Sequence, residues 1–324
     1  MNNMSRRQVL GAMLATTMIS GRAMAQTQKK IRIGLPTKTY WPTTIAEAAV
    51  DQKLFTKEGI EAELTVYRGG AECFEALAAG AADMIEHAPS AAAAGFTRGV
   101  KSKVVAKAAM GQFGWQLMVP AKSKLEVKDL AGKKVAITSA GSGSDMLALW
   151  AMKDRGIEFN RVPVGGGGIV PNLLSGNVDA AVVYSPLSFQ IKKSGEARSL
   201  IDFSSAVPSH VAGGWIVSDK FIQSNPETVQ KALNALYGGL AFMRANRDAA
   251  VKLIAKLYEM PEDIAAEEYE NTILKLEVDG SMNGPDIEKN VQLGLDLSRL
   301  SGMKDLAAAH DIVSAQFKPV PTKF

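Results

Sequence analysis

The stretch Leu173–Pro186, LLSGNVDAAVVYSP, reads as a helix end, a tight turn and a short buried strand. Gly176 can take the left-handed conformation that closes a helix. The apolar run after Asp179 is bounded by breakers, as a buried strand is. Pro186 stops it, because proline has no amide to donate to a ladder. Earlier in the chain Leu77–Pro89, LAAGAADMIEHAP, repeats the unit around Gly80, Asp83 and Pro89. Each unit is the αβ half of a βαβ crossover, so two copies predict two α/β lobes, each with a largely parallel sheet.

Working outward, strands are expected at Lys30–Leu35, Gly59–Tyr67, Met84–Glu86 and Val104–Ala109 in the first lobe. In the second they are expected at Val135–Thr138, Val162–Val164, around Val182 and near Leu200. Gln116–Pro120 reads as an extended segment leading out of the first lobe, and Ala212–Ile222 as an extended return. From Asn225 the pattern turns helical: Pro226 suits a first helical position, and Val229, Leu233, Leu236, Leu240 and Met243 keep the i, i+3, i+4 rhythm. Asn283-Gly284-Pro285 marks a second such start, and these helices are expected to pack on the first lobe.

The 324 residues suffice for two compact units, and 47% hydrophobic with 22% charged residues is an ordinary globular composition. The formal charge of +4 is concentrated at one end, since Arg6, Arg7 and Arg22 have no acid near them. Without that segment the chain is close to neutral, which argues against a nucleic-acid partner. Those arginines belong to an export signal: a twin arginine in SRRQVLG (Ser5–Gly11), an apolar run over Val9–Ile19, and small residues Ala23–Ala25 before Gln26. Residues 1–25 are therefore expected to be a twin-arginine signal peptide, cleaved near Ala25–Gln26, that delivers the chain to the periplasm. The apolar run is too short to span a bilayer comfortably. Cys73, the single cysteine, cannot form an internal disulfide and reads as a small buried residue.

Four segments carry the pattern: DQKLFTKEGIEAEL (Asp51–Leu64), EALAAGAADM (Glu75–Met84), DLAGKKVAI (Asp129–Ile137) and the Leu173–Pro186 unit. In that order and spacing the chain resembles the periplasmic solute-binding proteins of ABC importers, in the group that takes nitrate, taurine, alkanesulfonates and pyrimidine precursors. The resemblance spans roughly Ile31–Phe221. It implies a two-lobe periplasmic-binding-protein-like fold of type II, with two crossing strands as hinge. Gln116–Pro120 and Trp215–Ser218 match those crossings by position. The implied division is residues 30–116 with 217–324 as lobe 1 and 117–216 as lobe 2. The implied partners are a small-molecule solute and an inner-membrane ABC permease. The chain would be a monomer, with no cofactor, no metal and no catalysis.

Ligands of open α/β sheets bind beyond the carboxyl ends of the strands. That rule selects Lys38, Tyr40, Trp41, Gly70, Glu72, His87, Ser90, Trp115, Ser142, Gly143, Ser144, Gly166, Gly167, Tyr184 and Trp215. Ser142–Ser144 precede a helix, where free amides can hold an anion, although plain capping by the serines is equally consistent. Thr43 and Thr44 open another helix in the same way. The run Gly165–Gly168 lacks the Lys-Ser/Thr of a phosphate loop. Aromatic residues concentrated on these loops suit an organic ligand. An anionic head, sulfonate or carboxylate, is favoured by the helix starts, His87 and Lys38. Glu72, Glu86 and Asp145 support the alternative, a pyrimidine- or amine-type solute. An exported enzyme on the same fold is a further alternative, but no nucleophile–base pair stands out. The effector lobe of a regulator is another, against which the export signal and the absence of a DNA-binding helix pair argue.

Overall fold

The computed structural model describes residues 29–324. The predicted signal segment lies outside the described residues. Among the described residues ten strands form two five-stranded sheets, matching the two-lobe α/β expectation. The first contains β1 (Lys29–Leu35), β2 (Ile60–Val66), β3 (Met84–His87), β4 (Ser102–Ala109) and β10 (Gly213–Ser218), in the order β2-β1-β3-β10-β4. The second contains β5 (Gln116–Pro120), β6 (Lys134–Ile137), β7 (Asn160–Pro163), β8 (Ala180–Val183) and β9 (Ala197–Asp202), in the order β7-β6-β8-β5-β9. In each sheet one strand runs against the rest: β10 is antiparallel to β3 and β4, and β5 to β8 and β9. Each of these is the strand that arrives from the other lobe.

The duplicated unit has a common construction. Gly80 and Gly176 both have positive φ, at 72° and 77°, where a side chain would be strained. After each turn an aspartate ties its strand to the neighbouring parallel strand, β1 or β6. The Asp83 amide donates to the Arg32 carbonyl at 2.9 Å and the Arg32 amide donates back to the Asp83 carboxylate at 2.9 Å. Asp179 and Lys134 repeat both bonds at 2.9 Å. The strands so fixed are buried on both faces, as parallel strands covered by helices are. Ile31, Ile33 and Leu35 of β1 are essentially inaccessible, each contributing about 1.5–3 kcal/mol of burial. Cys73 is buried in this lobe, and burial pushes its thiol pKa well up.

Two sequence expectations are corrected. The return segment is not a crossing from Trp215: Gly213–Ser218 is paired on both sides within the first sheet, and Gln116 already pairs in the second. The chain therefore passes between sheets at 110–115 and 207–212, not at 116/117 and 216/217. Asp219–Ser224 is helical rather than extended, because the Ser218 hydroxyl accepts from the Phe221 amide and caps a new helix.

The C-terminal helices also divide. Residues of Pro226–Ala245 and Arg247–Tyr258 share the first lobe's core with β1 and the Trp41–Asp51 helix. The helix Ile287–Leu300 buries Val291 and Leu295 on the first lobe while Leu297 packs on the core of the second. Glu262–Asn271 likewise reaches the second lobe, with Asp263 2.7 Å from Lys193. Among the described residues no helix is long and apolar enough to cross a membrane.

Candidate functional site

The carboxyl ends of β1, β3, β6 and β8 and both crossings converge on a cleft between the sheets, with about 810 Å³ of space that is partly open to solvent. The lobes touch around it. The Gly166 amide donates to the Arg68 carbonyl at 2.9 Å, the Ser90 hydroxyl reaches Met146 Sδ at 3.3 Å, and Ser185 and Thr272 share a 2.9 Å hydroxyl contact. One wall is aromatic. Tyr40, Trp115 and Tyr184 pack with ring centroids 5.6, 5.5 and 5.3 Å apart, and the Trp115 indole donates to the Tyr40 hydroxyl at 3.2 Å. Trp150, Met146 and Leu147 of the helix Gly143–Arg155 add apolar surface.

The polar groups of the wall are few. Glu86 and His87 end β3, and both are buried. Burial pushes the Glu86 carboxyl up to about 8 and pulls the His87 imidazole down to about 4. Burial thus favours the neutral form of both. Neither nitrogen of His87 has a hydrogen-bond partner, and the ring lies against Gly70, where a Cβ would stand 2.8 Å from Nε2. His210, on the return crossing, also lines the cleft, and burial lowers its pKa as well. Among the described residues neither Lys nor Arg lines the cleft, and no His, Cys, Asp and Glu cluster has the makings of a metal site.

Residues 44–250, more than half of the chain, match one family model, described as NMT1/THI5 like. The chain belongs to that family. A Brucella abortus (strain 2308) relative described as a binding protein is 29% identical over 301 residues, covering 87% of this chain and 90% of the relative. Two solved structures share the fold. The alkanesulfonate-binding protein SsuA of Xanthomonas axonopodis pv. citri, bound to MOPS, superposes with a TM-score of 0.73 at 19% identity, over 87% of this chain and 97% of that one. The Escherichia coli periplasmic aliphatic sulphonate binding protein SsuA gives 0.68 at 20% identity, over 91% and 94%. The two-lobe arrangement of mixed sheets is thus that of periplasmic binding proteins.

Of the residues selected by the strand-end rule, Tyr40, Gly70, His87, Trp115, Ser142, Gly143 and Tyr184 line the cleft. Gly166 abuts Thr37 and the Tyr184 hydroxyl at its edge, and Ser90 is buried against Met146. The others lie elsewhere. Trp41 and Trp215 belong to the first lobe's core, since Trp41 begins a helix facing the sheet and Trp215 sits inside β10. Lys38 is exposed and pairs with Glu259 at 3.3 Å, Glu72 accepts from Arg68 at 2.7 Å, and Gly167 faces open space.

The hydroxyls that favoured an anion are committed locally. Ser144 accepts from the Thr138 amide at 2.8 Å, and Ser142 accepts from the Asp145 amide at 3.3 Å. Asp145 is buried in the same first turn and ion-pairs with Arg161. Thr43 donates to the Thr37 carbonyl at 2.6 Å, and Thr44 bonds Tyr258. Sequence reasoning missed His210, Met146, Trp150 and the Gly294, Leu297, Ser298 and Ser301 face of the C-terminal helix. The signal was present in VQLGLDLSRLSG, where small residues recur at helical spacing beside the apolar face of Val291 and Leu295.

Proposed function

We propose that the chain is the exported solute-binding component of an ABC importer, and that its cleft takes a compact organic solute carrying a protonated amine, amidine or amino-heterocycle. The capture role draws on the family, on relatives described as binding proteins and on fold neighbours that include a ligand-binding component of an ABC-type import system from Staphylococcus aureus. The twin arginine of the sequence supports export to the periplasm, where a monomer would hand its cargo to a permease.

The class of solute rests on one observation: Glu86 presents a buried carboxyl to the cleft with no basic partner. An unpaired buried carboxylate is costly, and a cation carried by the ligand removes that cost. An anion would meet no charged partner at neutral pH, since no Lys or Arg lines the cleft among the described residues and burial holds His87 down to about 4. The rings of Tyr40, Trp115 and Tyr184 offer faces that attract cations and flat heterocycles.

Calorimetry with benzylamine, benzamidine and 4-aminopyrimidine against ethanesulfonate and benzoate tests this. The bases should bind one per chain, and Glu86→Gln should weaken them by at least about tenfold, the loss expected when one partner of a buried charge pair is removed. Binding benzylamine or benzamidine, which are already protonated, releases the Glu86 proton, so their affinity should rise with pH towards 8 and the rise should vanish in Glu86→Gln. A sulfonate that binds more tightly than every base, indifferent to Glu86→Gln, would restore the anion reading.

A further inference from the structure

We propose that the cleft has a second recognition wall, formed by the C-terminal helix Ile287–Leu300 and the His210 ring that it braces, which accepts hydrogen bonds from donors at the opposite end of the solute from the group facing Glu86. The proposal rests on the amine reading above and specifies a second donor on the same solute.

His210 Nδ1 lies 2.7 Å from the Pro208 carbonyl oxygen. A carbonyl only accepts, so Nδ1 carries the hydrogen and Nε2 keeps its lone pair. Burial lowers the ring's proton affinity, which keeps that lone pair free at neutral pH. The ring is held in place from two sides. The His210 amide donates to the Met110 carbonyl at 3.3 Å and the Val211 amide to the Asn290 carbonyl at 3.4 Å. Gly294 gives the ring its room, since a Cβ there would stand 2.9 Å from His210 Cδ2.

The same helix face adds two more acceptors. The Ser298 hydroxyl donates to the Gly294 carbonyl at 2.9 Å, and the Ser301 hydroxyl to the Leu297 carbonyl at 2.8 Å. Each hydroxyl has a single hydrogen, so both oxygens can offer only lone pairs to the cleft that Ser298 and Ser301 line. His210, Ser298 and Ser301 thus make a wall that accepts. A solute with one basic end uses Glu86 alone, whereas one with N–H groups at both ends uses both walls.

Benzylamine and p-xylylenediamine differ by that second donor and serve as the probes. The wild-type protein should bind the diamine about tenfold more tightly, the effect of one hydrogen bond to a charged donor. His210→Phe, which keeps a ring but no acceptor, should erase most of that advantage, and His210→Gln should restore part of it. Ser298→Ala should reduce it without touching the ring, and Gly294→Ala should reduce it by displacing the ring. Melting curves establish that each variant is folded, and Ser298→Ala decides the matter if the His210 variants are not. Nitrogen-15 spectra of the ring should show the Nδ1–H tautomer; the Nε2–H tautomer would overturn the proposal. Measuring the pair in Glu86→Gln separates the two claims. Binding that ignores Glu86→Gln but falls with His210→Phe overturns the Glu86 reading alone. Binding that falls with Glu86→Gln but ignores both His210→Phe and Ser298→Ala overturns the wall alone. Failure of both amines to bind overturns both.

Discussion

Asp83 and Asp179 perform one task in two lobes, and the difference between them predicts different costs of removal. Each accepts from the backbone amide of the neighbouring parallel strand, Arg32 or Lys134, at 2.9 Å. Asp83 also takes the Arg32 guanidinium, at 3.0 and 2.6 Å. Asp179→Ala should lower stability by about 1–3 kcal/mol, the range for a lost hydrogen bond to a charged group, and Asp83→Ala by more. Urea unfolding of the two variants checks this, and equal losses would mean that the Arg32 pair contributes nothing. The aspartates were legible in the sequence because the Gly–x–x–Asp spacing fixes where the turn ends and the strand begins. The protonation states of Glu86 and His87 were not, because burial sets them and burial depends on residues far away in the chain.

Among the elements, those marked by glycine and proline were read correctly from local signals alone, β3, β8 and the Pro226–Ala245 helix among them. The C-terminal helix Ile287–Leu300 was harder to place. Its apolar positions identify it as a helix, but its three working faces touch the first lobe, the second lobe and the cleft, and no period in the sequence assigns a face to a partner. The start of the Gly143–Arg155 helix shows the same limit, since serines at a helix start serve a cap or a ligand equally well. The observed bonds favour the cap: Ser142 Oγ accepts from the Asp145 amide at 3.3 Å and contacts Ser144 Oγ at 2.8 Å. Ser142→Ala should therefore destabilise the protein by about 1 kcal/mol in thermal or urea unfolding. Unchanged stability together with lost solute binding would return Ser142 to the role of ligand contact.

At the scale of the molecule the lobes meet through a buried acid. Glu268, on the Glu262–Asn271 helix, is fully buried, and neither carboxyl oxygen has a hydrogen-bond partner. Its neighbours include the Ser185 and Thr272 hydroxyls, which join the two lobes at 2.9 Å, and the phenol of Tyr258; no basic side chain is paired with it. Burial pushes its pKa up to about 8, with the two hydroxyls pulling weakly the other way. In the unfolded state water returns the group to the ordinary range near 4.5. The folded state therefore binds a proton that the unfolded state releases. This stabilising contribution is fully present below about pH 4.5 and is lost as pH rises through 8. Glu268→Gln keeps the shape and removes the charge. It should leave the melting temperature little changed at pH 5 and raise it above that of the wild type at pH 8 to 9. Small-angle scattering shows where the loss is felt: the wild-type radius of gyration should grow between pH 6 and pH 9 if the lobes part there, while Glu268→Gln stays compact. A solute that draws the lobes together should oppose that growth, because two crossings at 110–115 and 207–212 permit hinge motion and Glu268 sits beside the Ser185 and Thr272 hydroxyls that join the lobes. A melting difference between wild type and Glu268→Gln that is the same at pH 5 and pH 9 would show that the carboxyl does not titrate between the folded and unfolded states, and would leave the pairing of Asp263 with Lys193 and the other direct contacts between the lobes to hold them together.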